Sequence, residues 1–325
     1  MRKKNSRTFE LLILGSSSAM PSADRFPSAQ VLNIQEELFL IDCGEATQNR
    51  LFEHRTHWNR ITYILISHMH GDHVFGLPGL ITTFCHLGRQ EPLILVGPEG
   101  LEEFLNASIQ YSHSHLTFEI KYIKVNHLNS ECIFDDGELV IQTIPLNHRV
   151  PTVGYLFKVN MITRKLNLDK MESLSIPVHE FKKITQGEDI ADKEGTVYHA
   201  EDLSTVESWH CSYAYCSDTK YNEAIIPLID EVDVLYHETT YLNELADKAE
   251  ATGHATAYQA ATLALKARVG ALVTGHYSSR YKSLYPLLEE CKTIFENTIL
   301  GKEGLKIDIA ELKKTSKLKN YELSD

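Results

Sequence analysis

Apolar residues along the chain gather in short runs bounded by turn formers, with few long stripes. Such runs occupy Phe9–Leu14, Gln30–Ile34, Leu38–Asp42, Ile61–Ser67, Pro92–Val96, Leu139–Pro145, Val153–Val159, Tyr213–Ser217, Val232–Tyr236 and Ala271–Thr274. Their length and their branched and aromatic content predict strands. Between several of them, helices are predicted over 44–54, 76–87, 99–111, 221–229, 256–268 and 283–296. Thr256 followed by Gln259 is a capping-box pattern, and Ala257, Ala260, Ala261, Ala264 and Leu265 supply an apolar face behind it. Strands alternating with helices imply an α/β fold. No internal repeat is evident.

Two stretches break the pattern. Residues 161–210 hold few apolar runs and carry six Lys/Arg against ten Asp/Glu, a net −4, which predicts an inserted or protruding arm. The tail ELKKTSKLKNYELSD has no convincing apolar face and predicts a frayed or solvated helix.

Composition narrows the class. With 325 residues, 43% of them apolar and 23% charged, the chain suits a soluble globular protein of one large domain or two. Its basic beginning resembles a secretion signal, but the apolar run Leu11–Leu14 is shorter than the roughly 7–15 residues such a segment needs. A first strand is expected there instead. Nothing approaches the stretch of about 20 apolar residues that spans a bilayer. The six cysteines (Cys43, Cys85, Cys132, Cys211, Cys216, Cys291) form no CxxC pair, so free thiols and a cytoplasmic location are expected. A formal net charge of −12 argues against indiscriminate adhesion to nucleic acid or anionic membranes. An anionic substrate would be held locally, by a basic groove or by metal ions.

The most informative segment is ILISHMHGDHVFGLPGL, residues 64–80. A buried strand runs into a loop that offers His68, His70, Asp72 and His73, and Gly71, Gly76 and Pro78 interrupt regular structure behind it. Imidazole nitrogens and carboxylate oxygens are the donors that zinc and manganese prefer, and HxHxDH spacing aims four of them at one or two metals. Two metals need more donors than this loop supplies. His148 after LVIQTIPLN, Asp218 after YAYCS and His276 after GALVTG each follow a buried run, and each is expected to complete the set.

HMHGDH, PLNHRVPTVGY, YCSDTKY, YHETTY, GHATA and TGHYSSRY, in that order, resemble the successive motifs of the ribonuclease Z (tRNA 3′-processing endonuclease) branch of the metallo-β-lactamase superfamily. LGSSSAMPSADRFPSA, IDCGEATQ and FENTILGKEGLKIDI are similar to that family's glycine-rich first turn, its DCGEGTQ segment and its closing strand, so the likeness spans nearly all of residues 1–325. It implies an αββα sandwich holding two zinc ions per subunit, with manganese as the alternative. Carried over by motif, His68, His70 and His148 hold one metal, Asp72, His73 and His276 the other, and Asp218 bridges both. Asp72 would orient the attacking water and take its proton. His254 would protonate the departing 3′ oxygen, with Glu238 orienting it. A guanidinium gives bidentate hydrogen bonds to a phosphate, so Arg280, with Ser278 and Ser279, is expected either to contact phosphate or, for Arg280, to serve as a structural ion-pair partner. His237 is expected to be structural. The implied activity is removal of the 3′ trailer from precursor tRNA, leaving a 3′ hydroxyl, by a homodimer whose arm grips tRNA.

The arm departs from the family. In SIPVHEFKKITQGED, Ile176, Pro177, Gly187 and Glu188 resemble its Gly-Pro-rich protrusion, whereas His179 and Glu180 stand where it has Gly and Pro. Ser217 likewise replaces a usual Gly before Asp218. A phosphodiesterase acting on smaller or unstructured substrates is therefore the alternative enzyme. A non-catalytic RNA-binding relative is disfavoured, because so many buried carboxylates and imidazoles would cost stability without metal.

Overall fold

Each of the ten apolar runs lies on a strand. The structure is a computed structural model and describes residues 6–20, 22 and 24–314. The first strands are β1 (Phe9–Gly15), β2 (Ala29–Ile34), β3 (Glu37–Ile41), β4 (Ile61–Leu65), β5 (Leu93–Gly97) and β6 (Ile120–Lys124). They are followed by β7 (Cys132–Asp135), β8 (Leu139–Pro145), β9 (Val153–Leu166), β10 (Ile190–Ala191) and β11 (Val197–Tyr198). The last are β12 (Ser204–Cys216), β13 (Val234–Glu238), β14 (Ala271–Gly275), β15 (Thr298–Leu300) and β16 (Lys306–Asp308).

Two seven-stranded sheets result, ordered β16-β1-β2-β3-β4-β5-β6 and β15-β14-β13-β12-β9-β8-β7. From β3 to β6 in one sheet, and from β12 to β15 in the other, neighbouring strands run parallel. Strands buried on both faces are continuously apolar. Leu38, Leu40, Ile64 and Leu95 pack outward against Leu77, Leu80, Ile81 and Leu105 of two helices, Leu77–His86 and Leu101–Tyr111. On the other sheet, Ala214, Leu235 and Leu272 pack against Ala257, Ala261 and Leu287 of the helices Ala257–Lys266 and Tyr285–Lys292. The expected capping box of Thr256 and Gln259 starts the first of these. The layers are therefore helix, sheet, sheet, helix, the αββα sandwich.

Aromatic side chains hold the sheets together at the middle. Phe157 packs edge-on against Phe39, and Tyr155 Oη donates to the Ile66 carbonyl at 2.6 Å. Tyr215 Oη donates to Asp42 Oδ2 at 2.6 Å, and Tyr213 Oη to Gln30 Oε1. Burying a tyrosine hydroxyl is tolerated because each finds an acceptor.

Two of the unanticipated strands have a common cause. Both β6 and β7 are edge strands that are only half-buried, so neither presents an apolar run. Similarly, β12 begins at Ser204, because its first half is largely exposed and only its end from Tyr213 is continuously buried. FENTILGKEGLKIDI is two strands in two different sheets, β15 and β16. The helix expected from 44 begins at Thr47, since Ala46 is left-handed (φ 68°). The one expected over 221–229 is a 3-10 turn, Glu223–Ile225, and a single helical turn, Ile226–Ile229. At the other end a short helix covers Ile309–Lys314, and the rest of the expected tail helix lies outside the described residues.

By compactness the chain divides into 1–158 with 211–325, and 159–210. It leaves the first unit along β9 and returns along β12. The second unit has a small core of its own, with Met171, Ile176, Ile184, Ile190, Ala200 and Leu203 buried together.

Tyr155→Phe removes the donor on the Ile66 carbonyl and leaves that acceptor buried. A loss of about 1–3 kcal/mol is expected in denaturant unfolding.

Candidate active site

Five strands end at one place. In α/β sheets functional groups collect at the carboxyl ends of strands, where the chain turns and its side chains face a crevice. Beyond β4 come His68, His70, Asp72 and His73; beyond β8, His148; beyond β12, Asp218; at the end of β13, Glu238; beyond β14, His276. His254 arrives from the helix Ala246–Thr252, which Gly253 ends in a left-handed conformation (φ 78°). A side chain at Gly253 would also press on His148 Nδ1 at 2.8 Å.

The HMHGDH segment, expected as a loop throughout, ends in a helical turn, Gly71–Val74, that carries Asp72 and His73, and it is strapped onto the turn after β3. Cys43 N–H donates to the His73 carbonyl at 2.8 Å and Gly76 N–H to the Cys43 carbonyl at 2.9 Å. The approach is so close that a Cβ on Gly76 would lie 2.0 Å from the Gly44 carbonyl oxygen. Glycine is required there by space.

The side chains form two groups that share one carboxylate. His68, His70, His148 and Asp218 bring donor atoms within 4.8 Å of one another, as do Asp72, His73 and His276. Asp218 Oδ1 lies 3.3 Å from His73 Nε2 and 3.2 Å from His276 Nε2. Its Oδ2 lies 3.7 Å from His68 Nε2 and 3.9 Å from His148 Nε2. All seven residues expected to hold metal are thus brought together, with one Asp218 oxygen toward each group.

The donor set suits metal. His73 Nδ1 donates to Asp42 Oδ2 at 2.8 Å, which leaves Nε2 as the ring's open donor atom. That nitrogen is buried without a hydrogen-bond partner and faces Asp72 and Asp218 oxygens at 3.4 and 3.3 Å. A lone pair facing two carboxylates is repulsive unless a cation intervenes. Burial holds His68, His70 and His148 below the ordinary histidine range, in the neutral form that coordinates. Burial would also lower the pKa of His73, but Asp72, Asp218 and Asp42 overcome it and raise it. Burial opposes the ionisation of Asp72, yet His73 and His276 hold its carboxyl well below the usual range.

Hydrogen bonds behind the donors fix their orientation, as is usual around metal ligands. Asp42, fully buried, also accepts from Ser67 N–H and Oγ–H and from Tyr215 Oη–H. His148 Nδ1 donates to the Gly253 carbonyl at 2.6 Å. His276 Nδ1 donates to Thr240 Oγ1 at 3.0 Å, and Thr240 passes its own hydrogen to Glu238 Oε2 at 2.5 Å. Glu238 Oε1 accepts from Thr219 N–H at 2.7 Å and from His254 Nδ1 at 3.0 Å. Burial alone would lower the His254 pKa, but Glu238 and Asp218 push it up to about 9. Sequence reasoning passed over Asp42 and Thr240. Asp42, last in the run Leu38–Asp42, carried the same strand-end signal as Asp218.

Not every expected group lies in the cavity of about 390 Å³ above the donors. Ser278 and Ser279 line it, but the cation that does so is Arg149, not Arg280. Arg280 donates from Nε to Ser278 Oγ at 3.3 Å and sits over the Tyr241 ring. His237 is buried outside the donor groups, with Nδ1 donating to the Glu238 carbonyl.

Comparison with known proteins agrees with this architecture. A family model described as Anti-Pycsar protein Apyc1 matches residues 9–170. A ribonuclease Z of Cytophaga hutchinsonii is 45% identical over 298 residues, covering 91% of this chain and 95% of that protein. One from Porphyromonas gingivalis is 38% identical over 301 residues, covering 93% and 99%. Among solved structures, human tRNase Z, short form, superposes with a TM-score of 0.67 at 28% identity, covering 92% of this chain and 99% of that one. The metallo-β-lactamase fold protein YhfI from Bacillus subtilis, at 17% identity and TM-score 0.64, shares the fold. With relatives this similar along almost its whole length, on a sandwich whose strand ends gather the HxHxDH histidines around Asp218, the chain belongs to the ribonuclease Z family.

Proposed function

We propose that this protein is a zinc-dependent endoribonuclease that removes the 3′ trailer from precursor tRNA and leaves a 3′ hydroxyl on the tRNA. The observation that carries the reading is the pair of donor groups joined by Asp218, beside a histidine bound to a buried carboxylate. His68, His70 and His148 would hold one zinc ion and Asp72, His73 and His276 the other, with Asp218 shared; manganese suits the same donors. Bound there, two cations lower the pKa of water and offset the charge that gathers on phosphorus.

The protein's own groups handle position and protons. Asp72, kept ionised by His73 and His276, is an acceptor that orients the attacking water and takes its proton. His254 carries a proton on each ring nitrogen in its acid form. Nδ1–H is spent on Glu238, so Nε2–H is the one given to the departing 3′ oxygen. Glu238 is tied by Thr219 and Thr240 and holds the ring in place.

Substrate selection falls to the arm, residues 161–210 in the reading from sequence, as a degenerate tRNA-binding exosite. Within it Lys183 Nζ pairs with Glu180 Oε2 at 2.8 Å, so the residue standing in place of a family proline occupies one of two neighbouring cations. Lys182 has no ion pair among the described residues and is the freer of the two for phosphate. The reading is of a homodimer acting on tRNA in the cytoplasm. Six free cysteines suit a reducing compartment, and among the described residues no helix is long and apolar enough to cross a membrane.

Asp72→Ala is expected to lower precursor-tRNA cleavage at least about a thousandfold with the unfolding midpoint little changed; comparable turnover by the variant would remove Asp72 from the chemistry. His254→Ala should slow cleavage about a hundredfold while metal content by atomic absorption stays the same. Activity that depends on protonated His254 is present below its pKa and lost as pH rises through it, and bound cations draw that pKa down from about 9. Glu238→Gln should therefore move the basic limb of the kcat profile to lower pH. Deleting residues 165–205 should reduce cleavage of precursor tRNA far more than hydrolysis of a small chromogenic phosphodiester. Equal losses would make the arm structural, and turnover of the small substrate alone by the intact protein would favour the smaller-substrate phosphodiesterase.

A further inference from the structure

The catalytic cavity is not closed. Ala19, Gly71 and Asp72 line both it and a neighbouring cavity of about 520 Å³, whose walls include Phe26, Phe75 and Arg25. Arg25 in turn lines a third cavity of about 400 Å³ with Lys282, Lys302 and Tyr285. The three cavities adjoin in sequence, meeting at Ala19, Gly71 and Asp72 and then at Arg25, along a line that leads from the active site past Asp72.

The far end is suited to an anionic strand. Three cations line the third cavity against two carboxylates, Asp24 and Glu303, and both of these are engaged. Glu303 Oε1 accepts from Ser16 N–H, Ser16 Oγ–H and Phe26 N–H, and Asp24 accepts from Ser22 Oγ–H. Lys282 and Lys302 have no ion pair among the described residues. Arg25 is only 7% exposed; one terminal nitrogen donates to the Tyr281 carbonyl at 3.0 Å, and its Nε has no partner. The amino end of the helix Tyr285–Lys292 meets the same cavity through Leu284 and Tyr285. The Tyr285 ring is 62% exposed, with Lys302 Nζ 5.5 Å from its centre. Cations spaced along a groove with exposed aromatic faces are what single-stranded nucleic acid requires.

We propose that this path is a track for the single-stranded RNA on the 3′ side of the cut, its phosphates held by Arg25, Lys282 and Lys302 and a base stacked on Tyr285. Direction follows from the acid. His254 protonates the oxygen that stays with the tRNA and lines the catalytic cavity alone, so the strand that keeps the phosphate departs past Asp72. That direction rests on the endonuclease reading of the site, whereas the lining of the track does not.

The test uses the full-length protein and a Lys282→Ala/Lys302→Ala variant, Lys282 being exposed and Lys302 half-buried. A fluorescent, 5′-phosphorylated oligouridylate of about eight nucleotides, a length typical of single-strand grooves, is titrated by anisotropy at several salt concentrations. The variant should bind at least about tenfold more weakly, with the log–log salt slope shallower by about 1.4, the loss of two phosphate contacts. Precursor tRNAs with trailers of about one and about eight nucleotides are then cleaved. The variant should cut the short-trailer substrate as the wild type does and lose several-fold in kcat/KM on the long one. Unchanged oligonucleotide binding, or equal losses on both substrates, would overturn the track. If the wild type cuts neither precursor, the endonuclease reading fails while the oligonucleotide titration still decides the track.

Discussion

The carboxylate of Asp218, 2% exposed, sits among five imidazoles, and the rest of the molecule is organised around making that possible. Besides the four donors already described, His254 Nδ1 approaches its Oδ2 at 3.8 Å. An ionised carboxylate buried this deeply is costly unless opposite charge surrounds it. Asp72 and Asp42 raise the demand, because three carboxylates within one crevice repel one another, and His73 alone cannot satisfy all three. Metal binding relieves the same repulsion that the apo fold must bear, so folding and metal affinity are linked through this cluster.

Such a cluster holds its geometry only if its supports are rigid. Asp218, Glu238 and His276 stand at the ends of adjacent parallel strands, whose registers pair Cys216 with His237 and Glu238 with Gly275. His73 depends on the opposite sheet through Asp42 and its bond from Tyr215, and His68 through Ser67, which donates to the same carboxylate. That tyrosine donates from one sheet to the carboxylate that orients a histidine on the other. The layer of aromatic residues between the sheets is therefore both core and alignment device, and a shift of one sheet against the other would pull each donor group apart, since both groups draw on both sheets. Both Asp42 (φ 57°) and His276 (φ 56°) adopt left-handed backbone, a cost that the surrounding hydrogen bonds sustain.

Chemistry and substrate choice occupy different parts of the chain. The groups proposed to act in catalysis come wholly from residues 68–276 outside 159–210, while the segment proposed to grip tRNA folds around its own small core. A core so small leaves much of its surface free to vary, which fits an arm where His179 and Glu180 stand where the resemblance expects Gly and Pro.

Read alone, the amino-acid sequence determined the α/β class, ten strands and the seven polar residues that the fold gathers at the strand ends. These signals are local: a doubly buried strand must be apolar along its length, and a donor at its end must be polar where the run stops. It could not reveal β6 and β7, half-exposed at sheet edges, or the division of FENTILGKEGLKIDI between two sheets, because pairing partners lie far apart in the chain. Nor could it tell Arg149 from Arg280 as the cation at the cavity, or single out Asp42 and Thr240 as the groups that orient His73 and His276. Those assignments depend on which side chains from distant segments come within about 3 Å of one another. Only the packing of one sheet on the other decides that distance.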